Sequence, residues 1–558
     1  MRPRRRPLAV VGVAVVLLVA GPVPPVAAAP TVRHIVVIYE ENHSFDNLFG
    51  GWEGVDGIRN ALRSGRVTQR ADDGTVLPCL PQDDVNLTSP DPLPVRCRGT
   101  AGGVPVDSAF RNGPFVLDRY VRPGDRTCPP PGTSAPHGVR KDTPGARPGG
   151  CTADLVHRFY QEQYQLHGGR MDRYVAGSDA LGLTMGRYDT RALPLYRYLH
   201  SRGAPHHLLA DRFFQAAYGG SFLNHQWLVA GTTPRWPGAP ADLHSVVGAD
   251  GSPADYPLHR RTGLRDAPLT QAADATGACL VPAGAAAPPP GTVCGDYVVN
   301  TVQPAYPPYA PGTAAARRLP PLTHRTIGDA LSEKGISWAW YAGGWDNAAG
   351  IVGGPGWTNG TTPGTCADPG TGAGAVYPYC SGALFQFHHQ PFAYYAAYAP
   401  GTAARAEHLR DEAEFLAAAR SGTLPAVSFV KPIGEANEHP GYASEHEGSS
   451  HLVDLIRAVE SGPDARDTAI VVTYDEFGGQ WDHVPPPARD RFGPGTRVPA
   501  LVVSPSLPRR FAVDHTPYDT TSILATLEHR YGLEPVGRRE VTAADLTRAL
   551  AGRGASPP

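Results

Sequence analysis

Apolar and polar positions along this 558-residue chain alternate between two kinds of run. Short apolar stretches at 34–38, 336–341, 426–430, 469–473 and 500–503 are rich in β-branched and aromatic residues and do not alternate with polar ones. Strands buried on both faces read this way. Between them, 324–334, 404–420, 449–460 and 519–531 carry the 3.6-residue period of amphipathic helices. Strand and helix in alternation predict an α/β fold, a mostly parallel central sheet with helices on both faces. Two long segments, about 60–150 and 232–320, interrupt the alternation and are dense in Gly, Pro and Asp. We read them as ordered loop insertions over one catalytic domain spanning 30–550, followed by a flexible tail at 551–558. No internal repeat is evident.

The N-terminus changes the picture. Arg2 to Arg6 form a basic start, Leu8 to Ala20 an apolar run, and Pro22 to Pro25 a break before Ala27-Ala28-Ala29. This predicts a secretory signal at 1–29, too short and too Pro-broken for a stable membrane anchor. Arg5-Arg6-Pro7-Leu8 leaves both the Sec and the twin-arginine route open. Eight cysteines suit an extracytoplasmic protein, and nearest-neighbour pairing predicts disulfides 79–97, 128–151, 279–294 and 366–380, stapling the loops. A formal net charge of −2 gives no sign of a nucleic-acid binder. Arginine outnumbers lysine heavily, and only Lys141, Lys334 and Lys431 are lysines, which reads as codon bias. Oligomeric state leaves no trace in the sequence.

The candidate chemistry lies at two strand ends. The run Ala469 to Thr473 leads into Asp475-Glu476, then Gly478-Gly479 and Asp482-His483; the run His34 to Ile38 leads into Glu40-Glu41-Asn42. In open α/β sheets ligands collect beyond the carboxyl ends of strands. Acids next to buried strands are costly unless paired, so Glu41, Asn42, Asp475 and Glu476 are candidate ligands of one divalent cation. An oxygen donor set favours Ca, Mg or Mn over Zn. Helix capping or pairing with arginine is the alternative role for these acids.

Gly219-Gly220-Ser221 offers a nucleophile. Two glycines permit a tight turn that exposes Ser221 at the start of a helix, where backbone N–H groups favour a phosphate. Ser221 as an N-cap is the competing reading. The Gly-x-Ser-x-Gly elbow of α/β-hydrolases is absent, as are the Pro and Arg of a sulfatase nucleophile motif. His388 and His389, within an aromatic stretch, and His439, after the run ending in Lys431, are candidates to bind phosphoryl oxygens or protonate a leaving group.

Taken together, Glu41-Asn42 with Ser44-Phe45-Asp46, Asp475 to Pro486, and Gly495 to Ala500 resemble the phosphoesterase family of the alkaline phosphatase superfamily. That family holds bacterial and plant phospholipases C and an acid-phosphatase branch. The resemblance implies an alkaline-phosphatase-like fold, a metal on Glu41, Asn42, Asp475 and Glu476, and Ser221 as nucleophile and fifth ligand. It implies His439 as phosphate donor or leaving-group acid, with His388 and His389 as phosphate contacts. Asp482 and His483 would orient the metal loop. Gly220-Ser221 with Asn224-His225, and His388-His389 with Pro391-Phe392, are similar to the acid-phosphatase branch; His43 and His225 stand where phospholipase members more often carry Arg. The expectation is a secreted, metal-dependent acid phosphatase working through a phosphoserine on phosphate esters. The alternative is a phospholipase C acting on phospholipid.

Overall fold

The computed structural model describes residues 32–81, 95–101, 103–119, 154–253, 255–256, 258–260, 262–310, 312–358, 385–440 and 444–550. The signal, the tail and the cysteine pairs 128–151 and 366–380 lie outside these residues.

In chain order, the elements that position the site are β1 (His34–Glu40), α1 (Phe45–Leu48), α2 (Ile58–Ser64), α3 (Phe159–Leu166), β2 (His207–Ala210), α4 (Ser221–Ala230), α5 (Ile327–Glu333) and β3 (Trp338–Ala342). After these come β4 (Leu409–Asp411), α6 (Glu412–Ser421), β5 (Val427–Lys431), α7 (Glu445–Glu460), β6 (Thr468–Tyr474), β7 (Ala500–Val503), β8 (Phe511–Asp514) and α8 (Thr521–Tyr531).

All eight strands join one sheet, in the order β4-β3-β5-β1-β6-β7-β2-β8. Only β7 runs antiparallel to its neighbours. The middle is the most apolar part: Ile35, Val36, Val37 and Ile38 are at most 2% exposed, each burial favouring the fold by roughly 2 kcal/mol. Side chains alternate across β3, with Tyr341 packed on Phe415 of α6 and Trp340 on His225 of α4. The sheet is therefore covered by helices on both faces, as the alternating pattern predicts.

One predicted helix needs correcting. The stretch 404–420 is a short helix, Ala403–His408, then the edge strand β4, then α6. Asp411 breaks it: its side chain accepts the Ala413 N–H at 3.0 Å and caps α6, while its backbone pairs with Ala342. The sequence pattern also missed β2 and β8, each four residues long.

Two of the predicted disulfides, Cys79–Cys97 and Cys279–Cys294, are formed, with Cα separations of 6.0 and 5.3 Å. The second insertion is tied to the domain by α3, whose Tyr160 hydroxyl donates to Val293 O at 2.6 Å.

Candidate active site

β1 and β6 pair in register from His34↔Thr468 to Glu40↔Tyr474. Glu41 and Asp475 therefore leave the sheet side by side. The Asn42 N–H donates to Asp475 Oδ1 at 3.3 Å, joining the two strand ends. Asn42 has φ 58°, a left-handed conformation that Asn tolerates better than most residues. Gly478, at φ 60°, folds the loop after β6 over it; a Cβ there would stand 2.2 Å from Asn42 O, so only glycine fits.

The nucleophile arrives on α4. Gly220 is the N-cap and Ser221 the first helical residue, so the serine hydroxyl is not spent on capping. Instead it donates to Glu41 Oε2 at 3.2 Å and lies 3.5 Å from Asn42 Oδ1. The turn before it is held from both sides. Asn224 accepts the Ala217 N–H at 2.9 Å and donates to Gly219 O at 3.2 Å. Glu162 of α3 accepts the Gly219 N–H at 2.6 Å.

Around these oxygens stand imidazoles and one ammonium. His389 Nε2 is 2.7 Å from Glu41 Oε1. Lys431, wholly buried at the end of β5, pairs with the same oxygen and donates to Glu40 O at 3.2 Å. Asn42 Nδ2 donates to His439 Nε2 at 2.9 Å, while His439 Nδ1 donates to Pro440 O at 2.8 Å. His225 Nδ1 donates to Ser221 O at 2.7 Å, and its ring stacks on His389 at 5.3 Å. His388 stands edge-on to His389 at 4.7 Å. His157 donates from Nδ1 to Leu155 O at 2.5 Å, leaving Nε2 3.5 Å from Glu476 Oε1.

Burial dominates the electrostatics. It pushes the Glu41 carboxyl up, but His389 and Lys431 outweigh it and hold Glu41 well below the usual range. Burial, then the Glu41 charge, drives Asp475 well up; burial, then Asp475, does the same to Glu476. Burial lowers His439 to about 3, so its ring is neutral here.

The donor set fits a divalent cation. Asp475 Oδ2 and Glu476 Oε1 are buried with no hydrogen bond. Glu41, His225 and Asp475 each offer a ligand atom within 4.8 Å of the others, and the Asn42 and Ser221 oxygens border them. A dication would relieve the repulsion that raises Asp475 and Glu476. Asp46, Asp482 and His483 form a second compact group, but Arg497 already fills it. Its Nε donates to Asp482 at 3.1 Å and its Nη2 to Asp46 at 3.2 Å.

The structure thus brings Glu41, Asn42, Ser221, Asp475, His389 and His439 together, with Glu476 directly beside them facing His157 and accepting the Gly478 N–H at 2.6 Å. His388 meets the site through the rings of His389 and His225. Three residues here were not among the site candidates named from the sequence. Lys431 carried a usable signal, one of three lysines in the chain and placed at a strand end. His225 stood one helical turn after Ser221. His157 carried no signal; it is positioned only by the fold around Gly220.

Comparison with known proteins finds relatives among the phospholipases C. Phospholipase C B of Mycobacterium tuberculosis (strain ATCC 25618 / H37Rv) is 33% identical over 174 residues, 26% of this chain and 32% of that protein. Non-hemolytic phospholipase C of Burkholderia pseudomallei is 31% identical over 163 residues, covering 24% of this chain and 22% of its own length. Non-specific phospholipase C6 of Arabidopsis thaliana is 27% identical over 145 residues, covering 21% of this chain and 28% of its own. The chain spans about a third or less of the length of these relatives. Among solved structures, an alkaline phosphatase superfamily protein from Vibrio parahaemolyticus aligns at 16% identity over 39% of this chain and 51% of its own, with a TM-score of 0.21, too low to carry an argument. The phosphoesterase family model matches residues 32–534, and the chain belongs to that family.

Proposed function

We propose that this chain hydrolyses phosphate monoesters at a single divalent-metal site through a phosphoserine on Ser221, as an exported enzyme of acid-phosphatase type. One observation carries the reading: the Ser221 hydroxyl heads α4 and points at Glu41 Oε2, 3.2 Å away, among buried carboxylates that fit a dication. A divalent cation bound there would lower the serine pKa and offset phosphoryl charge.

The residues divide the remaining work. Ser221 Oγ attacks phosphorus in line, and its proton has an acceptor in Glu41 Oε2. His439 Nε2, 4.0 Å from that oxygen, is placed to receive the proton and return it to the leaving ester oxygen. The N–H groups at the start of α4, with His157 and His389, would contact the equatorial oxygens, and His388 would support them through its ring contact with His389. Water then cleaves the phosphoserine by the reverse path. Five imidazoles and a lysine in the site around one serine suit a monoester dianion with three terminal oxygens better than a diester monoanion.

The second reading is a phospholipase C, favoured by the names of the relatives. Turnover of a phosphate monoester, a diester and phosphatidylcholine, with and without chelator, separates the two: the monoester is expected to lead, and a leading phosphatidylcholine rate would favour the second. Ser221→Ala is expected to lose ~10³-fold or more of the activity; full activity in that variant refutes the mechanism.

A further inference from the structure

We infer that an arginine-lined groove beside α2 docks the protein on membranes containing anionic phospholipid. This groove, of about 640 Å³, shares no residue with the metal site. α2 buries Ile58 and Ala61 and turns Arg59, Leu62 and Arg63 outward, the i, i+3, i+4 spacing of one helix face. Arg187 and Arg191 complete the wall. Leu62 is 57% exposed between the two α2 arginines.

The charge is unbalanced. Glu53 is the single acid lining the groove, and it is already engaged by His200 Nε2 at 2.5 Å and the Tyr196 hydroxyl at 3.2 Å. Arg187 has Asp118 and Asp189 near it. Arg59, Arg63 and Arg191 form no ion pair with an acid among the described residues. A groove of similar size nearby shows the contrast: it has four arginines too, but Asp72, Asp73 and Asp172 share its walls, and Arg70 lies 3.4 Å from Asp172.

Guanidinium forks match phosphate oxygens in pairs, and arginine sheds its hydration more readily than lysine. An exposed leucine between two such forks suits the boundary between headgroups and acyl chains; neither free phosphate nor a polynucleotide would use it. The occupant that satisfies both features is an anionic phospholipid surface. This reading does not depend on the reaction proposed above.

The test is co-sedimentation of the full chain with phosphatidylcholine vesicles, with and without phosphatidylglycerol. Binding is expected only with phosphatidylglycerol, and Arg59→Ala/Arg63→Ala is expected to weaken it ~30-fold at low salt, ~5-fold per arginine. Both positions are exposed, so turnover of a soluble monoester is expected to stay unchanged, which reads the active site separately. Equal partition of the variant, or equal binding to vesicles without phosphatidylglycerol, overturns the proposal. Displacement by inorganic phosphate, where chloride at equal ionic strength has no effect, also overturns it and assigns the groove to a free anion.

Discussion

Replacing Arg497 with methionine tests how the two acidic loops are held together. Arg497 is wholly buried, and its donors are fully used. Nε reaches both Asp482 oxygens at 3.1 and 3.2 Å, Nη2 reaches Asp46 and Asp482 at 3.2 Å, and Nη1 reaches Asp56 O and Asp211 O at 2.6 and 2.8 Å. Asp46 stands at the start of α1, just beyond Glu41-Asn42, and Asp482 on the loop that follows Glu476. The guanidinium therefore ties together the two loops that carry the candidate metal ligands. Arg497→Met keeps most of the stem but strands two buried carboxylates, with His483 the remaining cation. Breaking a buried pair in this way costs about 3–5 kcal/mol. A folded unit of roughly 500 residues has an unfolding entropy near 1 kcal/mol/K, so the Tm is expected to fall by roughly 3–5 °C. Differential scanning calorimetry measures the shift. Adding Asp482→Asn removes one stranded charge and is expected to recover part of the loss. A Tm within about 1 °C of the parent, or a double variant that falls by the sum of the singles, refutes the clamp.

Two further outcomes follow from the same region. Burial lowers the His483 pKa, but the Asp46 and Asp56 carboxylates outweigh it and raise it to about 9, above an unfolded value near 6.5. A raised histidine stabilises fully below the unfolded pKa and loses that contribution as pH rises through the folded one. The unfolding free energy from urea titrations should therefore fall between pH ~6.5 and ~9, by up to roughly 3 kcal/mol, and less steeply in His483→Gln; equal slopes would contradict the assignment. Gly478→Ala forces a Cβ against Asn42 O at a positive φ, costing about 1–2 kcal/mol in backbone strain alone. Because Asn42 must move, metal affinity by titration is expected to drop ~10–100-fold; unchanged affinity would show that the loop yields without disturbing the ligands.

Legibility varied with how local the signal was. β1 and β6 could be read directly, because a strand covered on both faces must be a continuous apolar run. Their ends could be read too, since acids seldom follow such a run without a partner. β2 and β8 were too short to show a period, since His207 and Asp514 at their ends leave three apolar residues in each. β4 was hidden inside a helical pattern that Asp411 cuts only through its capping bond and its pairing with β3. In the site, Ser221 was visible from its glycines, and the structure decided against its use as a cap by placing Gly220 there.

The sequence by itself determined the central strands β1, β3, β5, β6 and β7, most of the helices that cover them, and the residue types available to the candidate site. Those properties rest on hydrophobic period, turn residues and side-chain type, all local. Tertiary structure decided the rest. Placing β1 between β5 and β6 levelled Glu41 with Asp475 and brought Lys431 onto the same carboxylate. Ser221 meets Glu41 across 180 residues of chain, and His157 reaches the site by packing alone. Strand order and register follow from how all the apolar faces pack at once, so no single stretch of sequence could announce those contacts.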